Sequence, residues 1–127
     1  MERVVDALNT RSKSVKGAKM LILGVAYKKD IEDLRESPAL RVIELLIEKK
    51  ALVHYHDPYI PNIKEANRRL RSIKLEKKVL SYYDCVVIVA DHSCYDLKSI
   101  VKDSKLVFDT RGCTINIDAA NIIRLGE

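Results

Sequence analysis

The sequence predicts an α/β protein with an open parallel sheet and helices on both faces, a three-layer α/β/α arrangement. Continuous apolar runs without helical periodicity occupy residues 20–27 and 85–90. Such runs are typical of strands that are buried on both faces of a sheet. Segments with helical spacing lie between strand-like runs, and this alternation in one short chain favours parallel strands joined by right-handed crossovers.

The size and composition are those of one soluble globular domain. The chain has 127 residues, of which 47% are hydrophobic and 32% are charged, and this is enough for one hydrophobic core. No run reaches the roughly 18 apolar residues that a membrane helix needs. The N-terminus lacks the features of a secretion signal. We therefore expect a cytoplasmic protein that does not contact membranes.

The first 17 residues differ from the rest of the chain. Apolar residues within 2–12 are spaced as in a short helix, and a polar linker follows up to Gly17. A helix this short is marginal on its own. We therefore expect residues 1–17 to be the end of another domain's longer helix with its linker. Residues 18–127 then form a second domain, and Met1 marks the boundary of a piece of a longer protein.

The strand predicted at 20–27 leads through a charged loop into a helix. Ser37 suits the N-cap of this helix and Pro38 suits its first position. The helix is expected to end near residues 48–50. Steps of three and four predict one buried face, formed by Leu40, Ile43, Leu46 and Ile47.

The later elements follow from apolar patterning and from turn residues, such as Asp57-Pro58 at the end of the second strand. The sequence after Gly112 is too weakly patterned to assign. The pattern predicts, in order, a strand at 52–55, a helix at 62–72, a strand at 85–90, a helix or helical turn at 94–103 and a strand at 105–109.

Polar residues follow three of the predicted strands, where ligands bind in open α/β sheets. A guanidinium and an ammonium at one edge would suit a phosphate-bearing ligand. The residues at these strand ends are Tyr27, Lys28, Lys29, Asp30, Asp91, His92, Thr110 and Arg111.

The fold is Rossmann-like, but the sequence disfavours a dinucleotide bound in the standard way. A dinucleotide turn needs several glycines so that the backbone can approach the pyrophosphate. The turn after the first strand has only Gly24, followed by bulky side chains. Asp57 follows the second strand, where a ribose-binding acid often lies, but without the glycines it is interpreted as a turn-forming residue before Pro58.

The cysteines and the basic residues point to no separate function. Three cysteines without a CxxC pair suggest neither a disulfide framework nor a zinc site, and Cys85 is expected to be a small buried apolar residue. Residues 67–78 are basic and could form a nucleic-acid patch. They contain no aromatic residue to stack on bases, so a solvated face is preferred.

Four blocks of the sequence, in order, resemble the C-terminal domain of the UDP-glucose/GDP-mannose dehydrogenase family. They are GVAYKKDIEDLRESPAL at 24–40, YHDPYIP at 55–61, VVIVADHSCYDL at 86–97 and KLVFDTRG at 105–112. The segment at 4–20 is similar to the exit of the family's central helix. By eye, the blocks are most similar to the branch that uses UDP-N-acetylglucosamine, with UDP-glucose and UDP-N-acetylmannosamine left open.

The resemblance implies roles for four residues. Tyr27 and Lys28 would contact the UDP part of the substrate, Arg111 would reach the substrate, and Arg35 would lie near the cofactor's pyrophosphate. Each residue also has a purely structural interpretation. Tyr27 could be a core residue, Lys28 could be solvated, and the two arginines could pair with nearby carboxylates. Asp91 and His92 are interpreted as caps of the turn after their strand.

The resemblance also implies an NAD-dependent UDP-sugar 6-dehydrogenase that oxidises the sugar C6 alcohol to a carboxylate, in nucleotide-sugar and polysaccharide precursor metabolism. Its N-terminal domain would hold most of the NAD, its central domain would supply a catalytic cysteine, and the full-length enzyme would be a homodimer or higher homo-oligomer. Cys94 and Cys113 have the wrong surroundings for that cysteine. We therefore expect no catalytic residue, no metal site and no dehydrogenase activity in these 127 residues alone.

Two alternatives are a stand-alone nucleotide- or anion-binding regulatory module and a basic nucleic-acid-binding domain.

Overall fold

The computed structural model describes residues 14–26, 30, 37–65 and 68–124. Its main sheet has five strands, and every pair of neighbouring strands is parallel. In chain order these strands are β1 (Lys19–Leu23), β2 (Leu52–His56), β5 (Cys85–Ile88), β6 (Val107–Asp109) and β7 (Ile122–Arg124). They lie side by side in the order β2-β1-β5-β6-β7, which confirms the predicted open parallel sheet.

Helices cover both faces of this sheet, as predicted. The helices are α1 (Pro38–Glu48), α2 (Lys77–Leu80) and α3 (Leu97–Asp103). Side chains of a strand alternate between its two faces, so Met20 and Ile22 pack in one apolar layer with α1. Leu21 and Leu23 pack in the opposite layer with α2 and α3. The result is the predicted three-layer arrangement.

Helix α1 begins where the sequence predicts. Ser37 has an extended backbone, and its hydroxyl accepts a hydrogen bond from the N–H of Ala39 at 3.2 Å. Pro38 occupies the first helical position, where no N–H is needed. Ile43 and Leu46 are fully buried, and the partly buried Leu40 and Ile47 pack against the same layer.

Residues 62–72 form a hairpin rather than the predicted helix. Strands β3 (Asn62–Glu65) and β4 (Arg68–Arg71) are antiparallel, and Ile63 lies opposite Leu70. Two apolar residues seven positions apart also share one face of a helix, so the spacing alone does not distinguish the two structures. The hairpin buries Ile63 against the α1 layer and brings the end of β4 to the edge strand β2, where Ile73 donates to the carbonyl of Tyr55 at 2.9 Å.

The strands predicted at 20–27 and 85–90 extend beyond β1 and β5 at their carboxyl ends. β1 stops at Leu23 because the next N–H groups, after Gly24, bond to a carboxylate instead of a neighbouring strand. β5 stops at Ile88 because Val89 and Ala90 both direct their N–H groups to the carbonyl of Leu23. Helix α2 and strand β7 were not predicted. The helix predicted at 94–103 begins three residues before α3 does.

Gly24 allows β1 and β5 to come close together where they end. Its φ is +79°, a conformation that residues with a Cβ adopt rarely. A Cβ built at this position would lie 2.2 Å from the carbonyl oxygen of Ala90. The sequence therefore needs glycine here for two reasons, its backbone angle and its contact with Ala90.

Substitution of two glycines separates these two reasons. Gly17 has a similar φ of +80° but no atom near its added Cβ. Gly17→Ala should lower the free energy of unfolding by about 1 kcal/mol, the strain of the left-handed conformation. Gly24→Ala should lower it by about 1–3 kcal/mol more because of overpacking. Urea unfolding followed by circular dichroism measures both, and equal losses in the two variants would contradict the role of the Ala90 contact.

Candidate functional site

The strand order places a reversal point between β1 and β5. The connection from β1 leads to β2 on one side, and the connection from β5 leads to β6 on the other. In open α/β sheets the connections diverge at such a point and leave a crevice beyond the carboxyl ends of the strands. The segments that leave the carboxyl ends of β1, β5 and β6 begin at Gly24, Val89 and Thr110.

A buried carboxylate ties these strand ends together. Asp57, directly after β2, has 1% of its surface exposed. Its Oδ2 accepts hydrogen bonds from the N–H groups of Val25 at 2.8 Å and Ala26 at 3.0 Å, and it lies 2.8 Å from Nε2 of His92. Its Oδ1 accepts from the N–H of Tyr59 at 2.8 Å, which confirms Asp57 as a turn-forming residue. Asp57 also joins β2 to the segments that follow β1 and β5.

His92 extends the network of Asp57 from the end of β5. Its ring is buried, with 2% of the residue exposed. Nδ1 accepts a hydrogen bond from the N–H of Asp30 at 2.8 Å, so the ring proton lies on Nε2 and is donated to Asp57. The Asp30 carboxylate accepts in turn from the N–H of Ser93 at 2.7 Å and from the Ser93 hydroxyl. His92 thus does more than cap the turn after its strand.

Aromatic rings surround His92. The Tyr59 ring packs edge-on against it, with centroids 4.9 Å apart, and Tyr95 lies 5.8 Å away on a tilted plane. The Tyr95 hydroxyl lies 3.0 Å from Nδ1 of His56 and donates to that residue's carbonyl. Burial raises the pKa of Tyr95 and lowers the pKa of His56. These groups therefore stay neutral near pH 7. Tyr59, 36% exposed, presents an aromatic surface to solvent at this edge.

A second buried carboxylate shapes the turn after β6. Oδ1 of Asp109 accepts from the N–H groups of Arg111 and Gly112, each at 2.9 Å, and Oδ2 accepts from the N–H and the hydroxyl of Thr114. Burial alone would raise the pKa of Asp109, but the hydrogen bonds from Thr114, Arg111 and Cys113 outweigh it and lower the pKa. The turn holds the backbone of Arg111 at the carboxyl edge and leaves the residue exposed.

The sequence and the fold match known proteins. Residues 21–116 match the model of the UDP-glucose/GDP-mannose dehydrogenase family, UDP binding domain. The chain belongs to this family. It is 34% identical over 103 residues to the UDP-N-acetyl-D-mannosamine dehydrogenase of Methanococcus maripaludis, covering 73% of this chain and 22% of that protein.

Two further relatives extend this comparison. The UDP-N-acetyl-D-glucosamine 6-dehydrogenase of Salmonella typhi is 23% identical over 116 residues, covering 87% of this chain and 27% of that protein. A structure of UDP-D-ManNAc dehydrogenase from Pyrococcus horikoshii superposes with a TM-score of 0.73 at 28% identity, covering 95% of this chain and 28% of that one. The chain thus spans about a quarter of the length of these members of the dehydrogenase family.

The structure describes one of the four residues for which the sequence analysis predicted a role in this family. Arg111 lies at the carboxyl end of β6, and within the described part of the chain it reaches Asp109 through its backbone N–H rather than through its guanidinium. Tyr27, Lys28 and Arg35 lie outside the described residues. All four roles stay predictions.

Sequence reasoning missed the Asp57–His92–Asp30 network. The signal that could have found it was the position of Asp57 and His92 directly beyond two strands of one parallel sheet. Such residues lie at the same edge, and a carboxylate near an imidazole forms a hydrogen bond readily. The strand pattern does not predict which N–H groups bond to the Asp57 carboxylate. That depends on how closely Gly24 and Ala90 pack at the strand ends.

The three cysteines have different environments, since Cys85 is buried, Cys113 is half-buried and Cys94 is exposed. Cys85 is completely buried in the α1 layer, as predicted. Burial, with the added charge of Asp109, raises the pKa of Cys113 to about 12, and partial burial of the thiol also raises the pKa of the largely exposed Cys94. A thiol with a raised pKa keeps its proton at neutral pH and is a poor nucleophile.

Two kinds of feature are absent from the described residues. No helix among them has the length and apolarity needed to cross a bilayer. In the same part of the chain, no three histidine, cysteine or acidic side chains are grouped so that they could hold a metal ion.

The turn after β6 predicts a pH-dependent contribution to stability. Because the pKa of Asp109 is lower in the folded protein than its ordinary value of 3.8, its stabilisation is fully present above that value and is lost as the pH falls through the folded pKa. An amide nitrogen cannot accept from the Thr114 N–H, so Asp109→Asn should cost about 1.5–3 kcal/mol at pH 7.

The difference in unfolding free energy between Asp109→Asn and the unsubstituted chain should therefore shrink between pH 5 and pH 2. Urea unfolding at several pH values measures it. The exposed Asp118, substituted to Asn, is the matched control and should change the unfolding free energy by less than about 0.5 kcal/mol at every pH. A difference that grows as the pH falls would contradict the account of Asp109.

Proposed function

We propose that this chain holds the UDP part of the substrate in an NAD-dependent UDP-sugar 6-dehydrogenase. The reaction is a two-step oxidation of the sugar C6 alcohol to a carboxylate. The observation that carries this proposal is the match of residues 21–116 to a UDP binding domain. The polar residues at the carboxyl edge of β1, β5 and β6 support it, because this is where ligands bind in such sheets.

The proposed contacts to UDP come from Tyr27, Lys28 and Arg111. An aromatic face suits a ring, and a lysine ammonium and an arginine fork suit the two phosphates. The exposure of Arg111 at the end of β6 supports this assignment. Arg35 is proposed to approach the cofactor's pyrophosphate across a cleft between domains.

The described residues do not fit a dinucleotide bound at the turn after β1. In dinucleotide domains the backbone N–H groups at the start of that segment face the pyrophosphate. Here the N–H groups of Val25 and Ala26 already donate to Asp57. A carboxylate in that place would also repel a pyrophosphate. This supports the proposal that another domain of the whole protein holds most of the NAD.

The remaining parts of the enzyme are proposed from the same resemblance. Residues 1–17 would be the end of a central-domain helix with its linker, and residues 18–127 would be the C-terminal domain. The cofactor-binding and catalytic-cysteine domains would belong to the same protein, which is proposed to be a cytoplasmic homodimer or higher homo-oligomer. The sugar is proposed to be an N-acetylated hexosamine, with UDP-N-acetylglucosamine as the sequence-based prediction.

In this proposal the chain contributes binding energy rather than chemistry. The UDP part lies far from the reacting carbon. When it is bound tightly, it positions C6 of the sugar against the nucleophile and the nicotinamide. Loss of a UDP contact should therefore weaken the use of substrate much more than the affinity for NAD.

Kinetics of the complete dehydrogenase test this proposal. Lys28→Ala and Arg111→Ala should each raise the KM for the UDP-sugar roughly 10- to 100-fold, because each removes a charge-assisted contact to phosphate. The KM for NAD should change by less than about threefold. Lys105→Ala is the matched control, since this exposed cation precedes β6 and so lies at the opposite edge of the sheet.

Steady-state rates with UDP-N-acetylglucosamine, UDP-N-acetylmannosamine and UDP-glucose give these constants and identify the sugar. If Lys28→Ala and Arg111→Ala both leave the kinetics of the preferred UDP-sugar unchanged, the assignment of the two residues is wrong.

A further inference from the structure

We propose that His92 is a positioning residue for the UDP site, because it fixes the backbone on both sides of Tyr27 and Lys28. This inference rests on the proposed function and adds a residue to it. His92 itself is buried and is not proposed to touch the ligand. It acts through hydrogen bonds of its two ring nitrogens, to the backbone of Asp30 and to the carboxylate of Asp57.

The ring of His92 is linked to both ends of one short segment, directly at Asp30 and through Asp57 at Val25 and Ala26. Nδ1 accepts from the N–H of Asp30 at 2.8 Å. Nε2 donates to Asp57 at 2.8 Å, and the same oxygen of Asp57 receives the N–H groups of Val25 and Ala26. Between Ala26 and Asp30 the sequence has only three residues, which include Tyr27 and Lys28. Both ends of this segment are therefore tied to one imidazole.

Asp30 has a left-handed backbone, with a φ of +57°. Aspartate adopts this conformation more readily than most residues with a Cβ, and contacts with the turn after β5 stabilise it here. Besides the bond to His92, the Asp30 carboxylate accepts from the N–H of Ser93 at 2.7 Å and from the Ser93 hydroxyl. The turn after β5 thus dictates the backbone of Asp30.

The surroundings of His92 allow its ring one orientation. Tyr59 packs edge-on against one part of the ring, and Tyr95 packs against another. A ring flip would place carbon atoms where the N–H of Asp30 and the carboxylate of Asp57 need partners, and buried groups without partners are costly. The histidine is therefore a rigid spacer with one acceptor and one donor.

Two amide side chains separate these two functions. The side-chain oxygen of Asn can occupy the position of Nδ1 and accept from the N–H of Asp30. The side-chain nitrogen of Gln can occupy the position of Nε2 and donate to Asp57. Leu fills a similar volume and provides neither group. The variants His92→Asn, His92→Gln and His92→Leu therefore remove the Asp57 bond, the Asp30 bond and both bonds, respectively.

The test measures these variants in the complete dehydrogenase with its preferred UDP-sugar. His92→Leu should raise the KM for the UDP-sugar roughly 10- to 100-fold, because misplacement of a binding group by about 1 Å can have an effect of this size. The KM for NAD should stay within about threefold of the unsubstituted enzyme, whereas kcat/KM for the UDP-sugar should fall at least as much as its KM rises. His92→Asn and His92→Gln should each restore part of the lost affinity, because each keeps one bond.

Ile100→Ala is the matched control for loss of stability. Ile100 is buried in the layer of α2 and α3, and its truncation should destabilise the fold by about 2–5 kcal/mol. It should leave the KM for the UDP-sugar unchanged at a temperature where every variant is folded. If His92→Leu does not fold, His92→Asn and His92→Gln alone still carry the comparison with Ile100→Ala.

Three results would overturn the inference. The first is a KM for the UDP-sugar that stays within twofold in every folded His92 variant. The second is an Ile100→Ala variant whose KM for the UDP-sugar rises as much as in the His92 variants. The third is a fall in kcat of the His92 variants with no change in their KM for the UDP-sugar. By contrast, an unsubstituted enzyme that no UDP-sugar saturates would refute the proposed function itself, and the two failures are therefore distinguishable.

Discussion

The carboxyl edge of the sheet depends on the buried carboxylate of Asp57. An ionised carboxylate that leaves water without partners loses several kcal/mol of solvation, and here four N–H donors replace the water. They come from Val25, Ala26, Tyr59 and His92. Because these donors follow three different strands, one charge fixes the relative positions of the ends of β1, β2 and β5.

The same carboxylate changes what the fold can bind. In a dinucleotide domain, glycines leave the turn after β1 open, and its N–H groups receive a pyrophosphate. In this chain a protein carboxylate receives them, and Ala90 fills the space beside Gly24. A phosphate-bearing ligand at this edge must therefore be held by side chains, and arginine and lysine side chains suit phosphate. In the proposed function, side chains of the loops therefore bind the nucleotide at the edge of a Rossmann-like sheet.

The sequence predicted the sheet better than the connections. The apolar runs at 20–27 and 85–90 identified buried parallel strands, and Ser37-Pro38 located the start of α1. The hairpin was missed because the spacing of Ile63 and Leu70 fits two turns of helix as well as a cross-strand pair. Strand β7 was missed because its three residues follow a stretch without apolar periodicity.

The site was predictable only in part, for a physical reason. Strand ends in a parallel sheet share an edge, so Arg111 could be placed there from the sequence. The bond between Asp57 and His92 joins residues 35 positions apart, and it exists only after three strands have packed. The local sequence around Asp57 and around His92 predicts a turn role for each residue, but it does not reveal the hydrogen bond between them. The roles of Tyr27, Lys28 and Arg35 stay predictions.

The most direct test of the central claim is a crystal structure of the complete protein with bound UDP. The account predicts that the diphosphate lies beyond the carboxyl ends of β1, β5 and β6, with the Arg111 guanidinium and the Lys28 ammonium within hydrogen-bonding distance. It also predicts that Asp57 keeps the N–H groups of Val25 and Ala26. A diphosphate at the opposite edge of the sheet, or one that has displaced Asp57 from those N–H groups, would contradict it.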